Sequence, residues 1–230
     1  MHDTLRSSTS SRLRLHHHPF SSNARRAVLV IHHLGLSVEL VLVENLLDPE
    51  QRKKLVLLNP NAKIPVLEHG LFVLWESNAI MGYLADQVPG QTLYPTDLQA
   101  RADVNRWLFW SAQHWSPALG VLTWERWMKG LFGFGAADAA ESARGEREVQ
   151  AFAPVLEQQL ATGAPWVTGD VLTIADFSLA TPLMRMREAR LPLDGYPRLQ
   201  EWFRRVSELE AWARSEPAAD PAAHDASEAR

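Results

Sequence analysis

"KIPVLEHGLFVLWESNAI", residues 63–80, sets two apolar runs around a His-Gly pair. Ile64–Glu68 and Leu71–Trp75 are β-prone, and the HG between them is turn chemistry, so the stretch predicts a hairpin. Pro65 cannot donate a ladder hydrogen bond, which places it at the start of a strand rather than inside one. Ser77 follows the second run as a helix cap, and Ile80, Tyr83, Leu84 and Val88 then share one helical side.

Upstream, Leu13–His17 predicts a strand. Ser22 or Asn23 can cap a helix in which Ala24, Ala27, Val28, Ile31 and Leu34 keep helical spacing, with Gly35 as its stop. Val38–Val43 predicts a buried strand, and a short helix is expected around Pro49–Leu57. The order is strand, helix, strand, hairpin, helix over 13–88, with the short helix ahead of the hairpin. Downstream, "VPGQTLYPTD" (88–97) carries two prolines and a glycine, as a connection between domains does. Residues 97–215 then read as helical, with runs at about 97–115, 118–130, 141–161, 173–188 and 197–208, and Pro117 is expected to break or kink the first pair. In "LTIADF" (172–177), Thr173 and Asp176 have capping-box spacing, with Leu172 and Phe177 as a hydrophobic staple. Asp176 is therefore read as a structural cap and not as a catalytic acid. Residues 1–12 are read as a disordered lead-in, 89–96 as a linker and 216–230 as a disordered tail.

Composition narrows the function classes. The 230 residues are 46% hydrophobic and 22% charged, ordinary for a soluble globular chain. A net charge of −4 gives no basic excess for nucleic acid, and no apolar run approaches a membrane span. The polar, Ser-rich start lacks an apolar h-region, so the expected location is cytoplasmic. The chain has no cysteine, which removes disulfides, thiolate metal sites and a cysteine nucleophile. His16, His17 and His18 alternate faces if they lie on one strand, and no neighbouring acid completes a ligand set, so no metal is expected.

Three pieces in order, "FSSNARR" after the first strand, "NPNAKIPVL" with "ESNAI" around the hairpin, and "GDVLTIADF" in the helical half, together resemble the glutathione S-transferase family, its serine-type phi, theta and delta branches most of all. The resemblance covers roughly residues 13–214. It implies an N-terminal thioredoxin-like α/β domain followed by an all-helical domain. It also implies a cis Ile64–Pro65 bond whose Ile64 backbone pairs with the cysteinyl part of glutathione. Glu76 and Ser77 then hold the γ-glutamyl end, at a helix N-terminus suited to a carboxylate. Lys63 faces the glycyl carboxylate, and Gln51 and Arg52 are weaker candidates for the same group.

A thiol of ordinary pKa is only about 3% thiolate at pH 7, so such an enzyme must stabilise the anion. In the serine-type branches a hydroxyl before the first helix does so, four or five residues ahead of an arginine. Ser21 stands four before Arg25 and five before Arg26, which makes it the implied catalytic residue, with Ser22 and Asn23 as alternates. Five of nine tryptophans fall within 107–127, and the family's electrophile pocket is lined by the first helices of the helical domain. Trp110, His114 and Trp115 are the residues expected there, and the "GLFGFG" segment (130–135) is a candidate border. The resemblance thus implies glutathione as co-substrate, a hydrophobic small-molecule electrophile, no metal and a homodimer. Two other readings are a non-catalytic binding module of the same fold, and a glutathione-dependent peroxidase, isomerase or dehalogenase.

Overall fold

The structure, a computed structural model, describes residues 12–45 and 48–216. The lead-in expected over 1–12 and the tail expected over 216–230 lie, except for Arg12 and Glu216, outside the described residues.

Strands β1 (Leu13–His17), β2 (Val38–Leu42), β3 (Val66–His69) and β4 (Phe72–Trp75) form one sheet in the order β2-β1-β3-β4. β1 pairs parallel with β2 and antiparallel with β3, and β3 with β4 is the expected hairpin, turning at Gly70 with φ 62°. Glycine takes that left-handed backbone without a Cβ penalty. The sheet is crossed by α1 (Ser22–Leu34) and α3 (Ser77–Asp86), which pack against each other, while α2 (Pro49–Leu58) lies between β2 and β3 in sequence. Gly35 ends α1 in the left-handed conformation, as its position predicts. One expectation fails: β2 is not buried. It is the sheet edge, and Leu40 and Leu42 are 39% and 51% exposed. An apolar run records the side chains but not whether a neighbour covers both faces.

The helical half departs from the predicted breaks. α4 (Leu98–Trp110) continues through a wide turn at Ser111–Trp115 into α5 (Ser116–Thr123), and through another at Trp124–Met128 into α6 (Lys129–Leu131). Pro117 does not break this rod. It follows the first wide turn, where Ser116 N donates to Ser111 O, so the ladder has already shifted when the residue without an N–H arrives. α7 (Ala139–Leu160), α8 (Ile174–Ala180), α9 (Pro197–Ser207) and α10 (Glu210–Arg214) complete the chain. The helix expected over 173–188 is shorter: after α8 a single 3₁₀ turn spans Thr181–Leu183. Pro182 has no N–H for the Ser178 carbonyl, and that carbonyl accepts instead from Arg26 Nη2 and Ser111 Oγ, each at 3.0 Å.

Thr173 and Asp176 form the expected capping box. Asp176 is fully buried and accepts from Thr173 N, Val167 N and Trp202 Nε1 at 2.9–3.0 Å, so one carboxylate ties three segments together. Burial pushes its carboxyl up, against the pull of these hydrogen bonds. The main core runs without interruption from Leu15, Leu29 and Ile80 to Leu119, Phe177 and Trp202.

Candidate active site

The turn between β1 and α1 is built from His18-Pro19-Phe20-Ser21. Ser21 N donates to His18 O at 3.0 Å, which closes the turn. Ser21, in extended conformation, is the N-cap of α1, and its Oγ accepts from Ala24 N at 3.2 Å. The cap is therefore neither Ser22 nor Asn23. Ser22 is the first helical residue, and Asn23 Oδ1 accepts from Arg26 Nη1 at 2.9 Å. A hydroxyl that accepts one bond keeps its proton to donate, so capping does not exhaust Ser21.

Ser21 and Ser22 open into a cavity of about 380 Å³. Its apolar wall is Phe20, Trp124, Met128, Phe132 and Phe134, and its polar rim is His18, Glu44 and Asn45. The segment 130–135 does border this cavity, through Phe132 and Phe134. Trp110, His114 and Trp115 line a different region. Trp115 is fully buried and donates its indole N–H to Leu179 O at 3.0 Å. Trp110 lines a groove between α4 and α7 and stands edge-on to Phe152, with the exposed His114 against the same ring. The wall comes from Trp124 onward, one wide turn later than expected. Glu125, buried beside it, accepts from Lys129 Nζ at 2.6 Å and from Asp138 N at 2.7 Å, and so anchors the far end of the aromatic loop.

The Ile64–Pro65 bond is cis, and both residues precede Val66, the first residue of β3 to pair with β1. Lys63 is exposed, with its carbonyl held by Asn59 Nδ2 at 2.7 Å. Gln51 is turned to the loop after β2, its Oε1 accepting from Asn45 N at 3.1 Å, and Arg52 is exposed. Glu76 holds φ 74°, ψ 111°, a conformation that costs a non-glycine residue about 1–3 kcal/mol and is retained where surroundings require it. It thereby turns the chain from β4 into α3 and is itself the N-cap, so Ser77 is not the expected cap but the first helical residue, and buried.

Sequence reasoning missed the group behind Ser77. Arg26, 3% exposed, donates from Nη1 to Ser77 Oγ at 3.1 Å. Its other partners are Asn23, Ser111, Ser116, Thr181 and the Ser178 carbonyl, all neutral. Burial lowers its pKa to about 10, opposed by the charge of Glu76, so it remains a cation at neutral pH. A guanidinium donating to Ser77 Oγ leaves that hydroxyl's own proton pointing elsewhere, and adds positive potential to the N-terminus of α3. The site thus has two helix N-termini, α1 at Ser21, which opens on the apolar cavity, and α3 at Ser77, tied to α1 through Arg26. That arrangement suits a ligand with a carboxylate at one end and a developing anion at the other.

Comparison with known proteins identifies the lineage. The N-terminal domain model of glutathione S-transferases matches residues 11–86, and the C-terminal domain model matches residues 139–205. Glutathione S-transferase 3 of Zea mays is 30% identical over 209 residues, 88% of this chain and 92% of that protein. The chain belongs to the glutathione S-transferase family. Among its relatives in that family, the theta-2B enzyme of Homo sapiens is 31% identical over 175 residues, 75% of this chain and 71% of that protein. A solved glutathione S-transferase from Pseudomonas fluorescens superposes with a TM-score of 0.77 at 30% identity, covering 87% of this chain and 97% of that one. The fold is therefore the transferase fold, a thioredoxin-like domain with a four-stranded mixed sheet followed by a helical domain. Among the described residues no group of three or more His, Cys, Asp or Glu is arranged to hold a metal ion, and no helix is long and apolar enough to cross a membrane.

Proposed function

We propose that the protein is a serine-type glutathione transferase. It binds glutathione across the edge of the thioredoxin-like domain, ionises the thiol beside Ser21, and adds the thiolate to a hydrophobic electrophile in the adjacent cavity. The observation that carries this reading is Ser21 itself: an N-cap hydroxyl that lines a 380 Å³ apolar cavity. A hydroxyl donor and a helix N-terminus both favour the anion of a thiol. Lowering a thiol pKa by two units takes about 2.7 kcal/mol, within reach of those two effects together. The thiol proton leaves to solvent, the C–S bond forms, and the electron pair displaced from the electrophile leaves with its leaving group or is reprotonated.

The remaining assignments follow the chemistry of each end. Ser77 Oγ, backed by Arg26, and the free amides of α3 take the γ-glutamyl carboxylate, and Glu76 accepts from the α-amino group. The backbone of Ile64, ahead of cis Pro65, pairs with the cysteinyl unit as an added strand would. Lys63 serves the glycyl carboxylate. The electrophile is assigned to Trp124, Met128, Phe132 and Phe134, in place of Trp110, His114 and Trp115. The protein acts in the cytoplasm as a homodimer; the dimer is supported by Leu71, Phe72 and Trp75, large apolar side chains left exposed on the edge hairpin. The domain limits of 13–88 and 97–215, joined by 89–96, belong to the same reading.

The test is an ultraviolet difference titration of bound glutathione, following thiolate absorbance against pH, for wild type and Ser21→Ala. The expected result is ionisation well below the free thiol value in the wild type and a return toward it in the variant. If glutathione binds and its thiol titrates as in water, the protein is a binding module and the mechanism fails.

A further inference from the structure

Beside the reaction cavity, and sharing His18 with it, a second cavity of about 140 Å³ lies among the end of β1, α1 and the C-terminal helix α10. Its ionisable lining is His17, His18, Arg25, His32, Arg214 and Glu216. That is five basic groups and one acid, in a chain whose net charge is −4. The one acid is already engaged, since Glu216 Oε1 accepts from Arg25 Nη2 at 2.6 Å. Arg25 is 3% exposed, and its Nη1 is buried without a hydrogen-bond partner among the described residues. Among the described residues, the ion-pair partner of Arg214 is Glu210, at 3.8 Å in an exposed pair.

We propose that this cavity is a binding site for a small oxyanion, a phosphate, sulfate or carboxylate group. At roughly 30 Å³ per water it has the space of about five waters, enough for one such group. The basic side chains present donors from three elements, the geometry that recognises a tetrahedral or planar anion. The electrostatics agree. Burial lowers the pKa of His17, His18 and His32, and a positive neighbour pushes further on two of them, His18 on His17 and Arg214 on His32. Burial and the charge of Arg185 also act against the Arg25 cation, opposed by Glu216. An anion among these groups acts against each of those effects by favouring the charged forms. The histidine run thus acquires a role that alternation along a strand had argued against. His18 stands beyond the last residue of β1, so the strand does not fix its side, and His17 and His18 line one cavity. His18 Nδ1 accepts from Phe20 N at 3.1 Å, so a neutral His18 carries its proton on Nε2 as a donor. His18 also lines the reaction cavity and supplies the carbonyl that receives Ser21 N, so a bound anion sits against the turn that positions Ser21.

The site does not depend on the glutathione reading, and the test uses neither glutathione nor activity. Inorganic sulfate is titrated calorimetrically into the full chain at pH 6 and pH 8, at ionic strength held with chloride. Sulfate keeps its charge over this range, so any pH dependence belongs to the protein. The groups facing it are His17 and His18 from β1 and its turn, Arg25 and His32 from α1, and Arg214 and Glu216 from the C-terminal helix and the residues after it. An anion favours the imidazolium form, so binding takes up a proton and tightens about tenfold per pH unit per proton where the histidines titrate. The expected result is one saturable site, about tenfold or more tighter at pH 6, and weakened about tenfold by both His32→Gln and Arg214→Gln, two side chains outside the core. Absence of a saturable site at pH 6 overturns the proposal, as does an affinity that either substitution leaves unchanged. Loss of binding in Ser77→Ala, with retention in the other two variants, moves the ion to the N-terminus of α3 and equally overturns it.

Discussion

At the scale of single residues, Ser21 carries two duties that can be separated. Its Oγ accepts from Ala24 N as the N-cap of α1, and its hydroxyl proton is the proposed donor to sulfur. Ser21→Ala therefore loses about 0.5–2 kcal/mol of stability with the cap. It also lowers kcat/KM by more than that loss explains, about a hundredfold if one preorganised hydrogen bond to the anion is removed. Ser21→Asn keeps a capping side chain, so its melting temperature stays near wild type while its activity remains low; equal recovery of both contradicts the division. That a serine stands before α1, at a spacing to the two arginines that the family resemblance singles out, was legible in the sequence. Which of two adjacent serines caps was not, because both have the same chemistry and only the backbone angle at Ser21 distinguishes them. Arg26 was illegible for another reason: apart from Asn23, its partners Ser77, Ser111, Ser116, Ser178 and Thr181 lie 51 to 155 residues away in sequence.

At the scale of elements, the sequence is informative where local chemistry decides and silent where register decides. The capping box at Thr173 and Asp176, the Gly35 stop and the hairpin at Gly70 are short-range devices, and each stands where its residues put it. The electrophile wall does not. Two wide turns interrupt the rod from Leu98 to Leu131, and each extra residue rotates the following side chains by about 100°. Trp110 and Trp115, the wall residues that the resemblance implied, stand before and inside the first wide turn and go to packing, while Trp124, at the start of the second, lines the cavity. The same rod is fixed against α7 by a close approach that only glycine permits. A Cβ at Gly145 would meet Leu122 Cγ and Cδ2 at 2.9 Å and Val121 Cγ1 at 3.1 Å. Leu122 is fully buried and cannot step aside. Gly145→Val is expected to cost about 1–3 kcal/mol by overpacking, read as a fall in the midpoint of urea denaturation with an unchanged slope. Asp176→Ala costs more, about 3–5 kcal/mol, since it removes the box and orphans Val167 N and the Trp202 indole together. A loss below about 1 kcal/mol in the same measurement contradicts that account.

At the scale of the whole molecule, α1 is the shared part. It packs on α3 on the sheet side and on α8 and α10 on the helical side, and its two arginines reach across the boundary. Arg26 gathers hydroxyls and a carbonyl from both halves. Arg25 stacks on Trp212, 4.0 Å from guanidinium carbon to ring centroid, and caps α10 through the Trp212 carbonyl and Ser215. Arg26→Met is expected to lose about 3 kcal/mol or more, a fall of about 6–12 °C in melting temperature for a chain of this size, with the two halves still unfolding together. Two separated transitions would instead mean that Arg26 alone couples them. The histidines set the acid limb of the same stability. His17, His18, His32 and His33 all titrate below the ordinary value of 6.5, chiefly because burial disfavours their charged form. Above pH 6.5 the folded and unfolded chains are both neutral at these positions, and the stability is complete. As pH falls below 6.5 the unfolded chain takes up protons first, so stability declines until the folded-state values are passed. Melting temperature should therefore drop between pH 7 and pH 5, and His32→Gln, with one titrating group fewer, should drop less. Sulfate, by favouring the protonated forms in the folded chain, should recover part of the loss at pH 5.5 and little at pH 7.5. A melting temperature flat over this range would mean that the folded chain binds these protons as readily as the unfolded one, and that the histidines are not held against their charge.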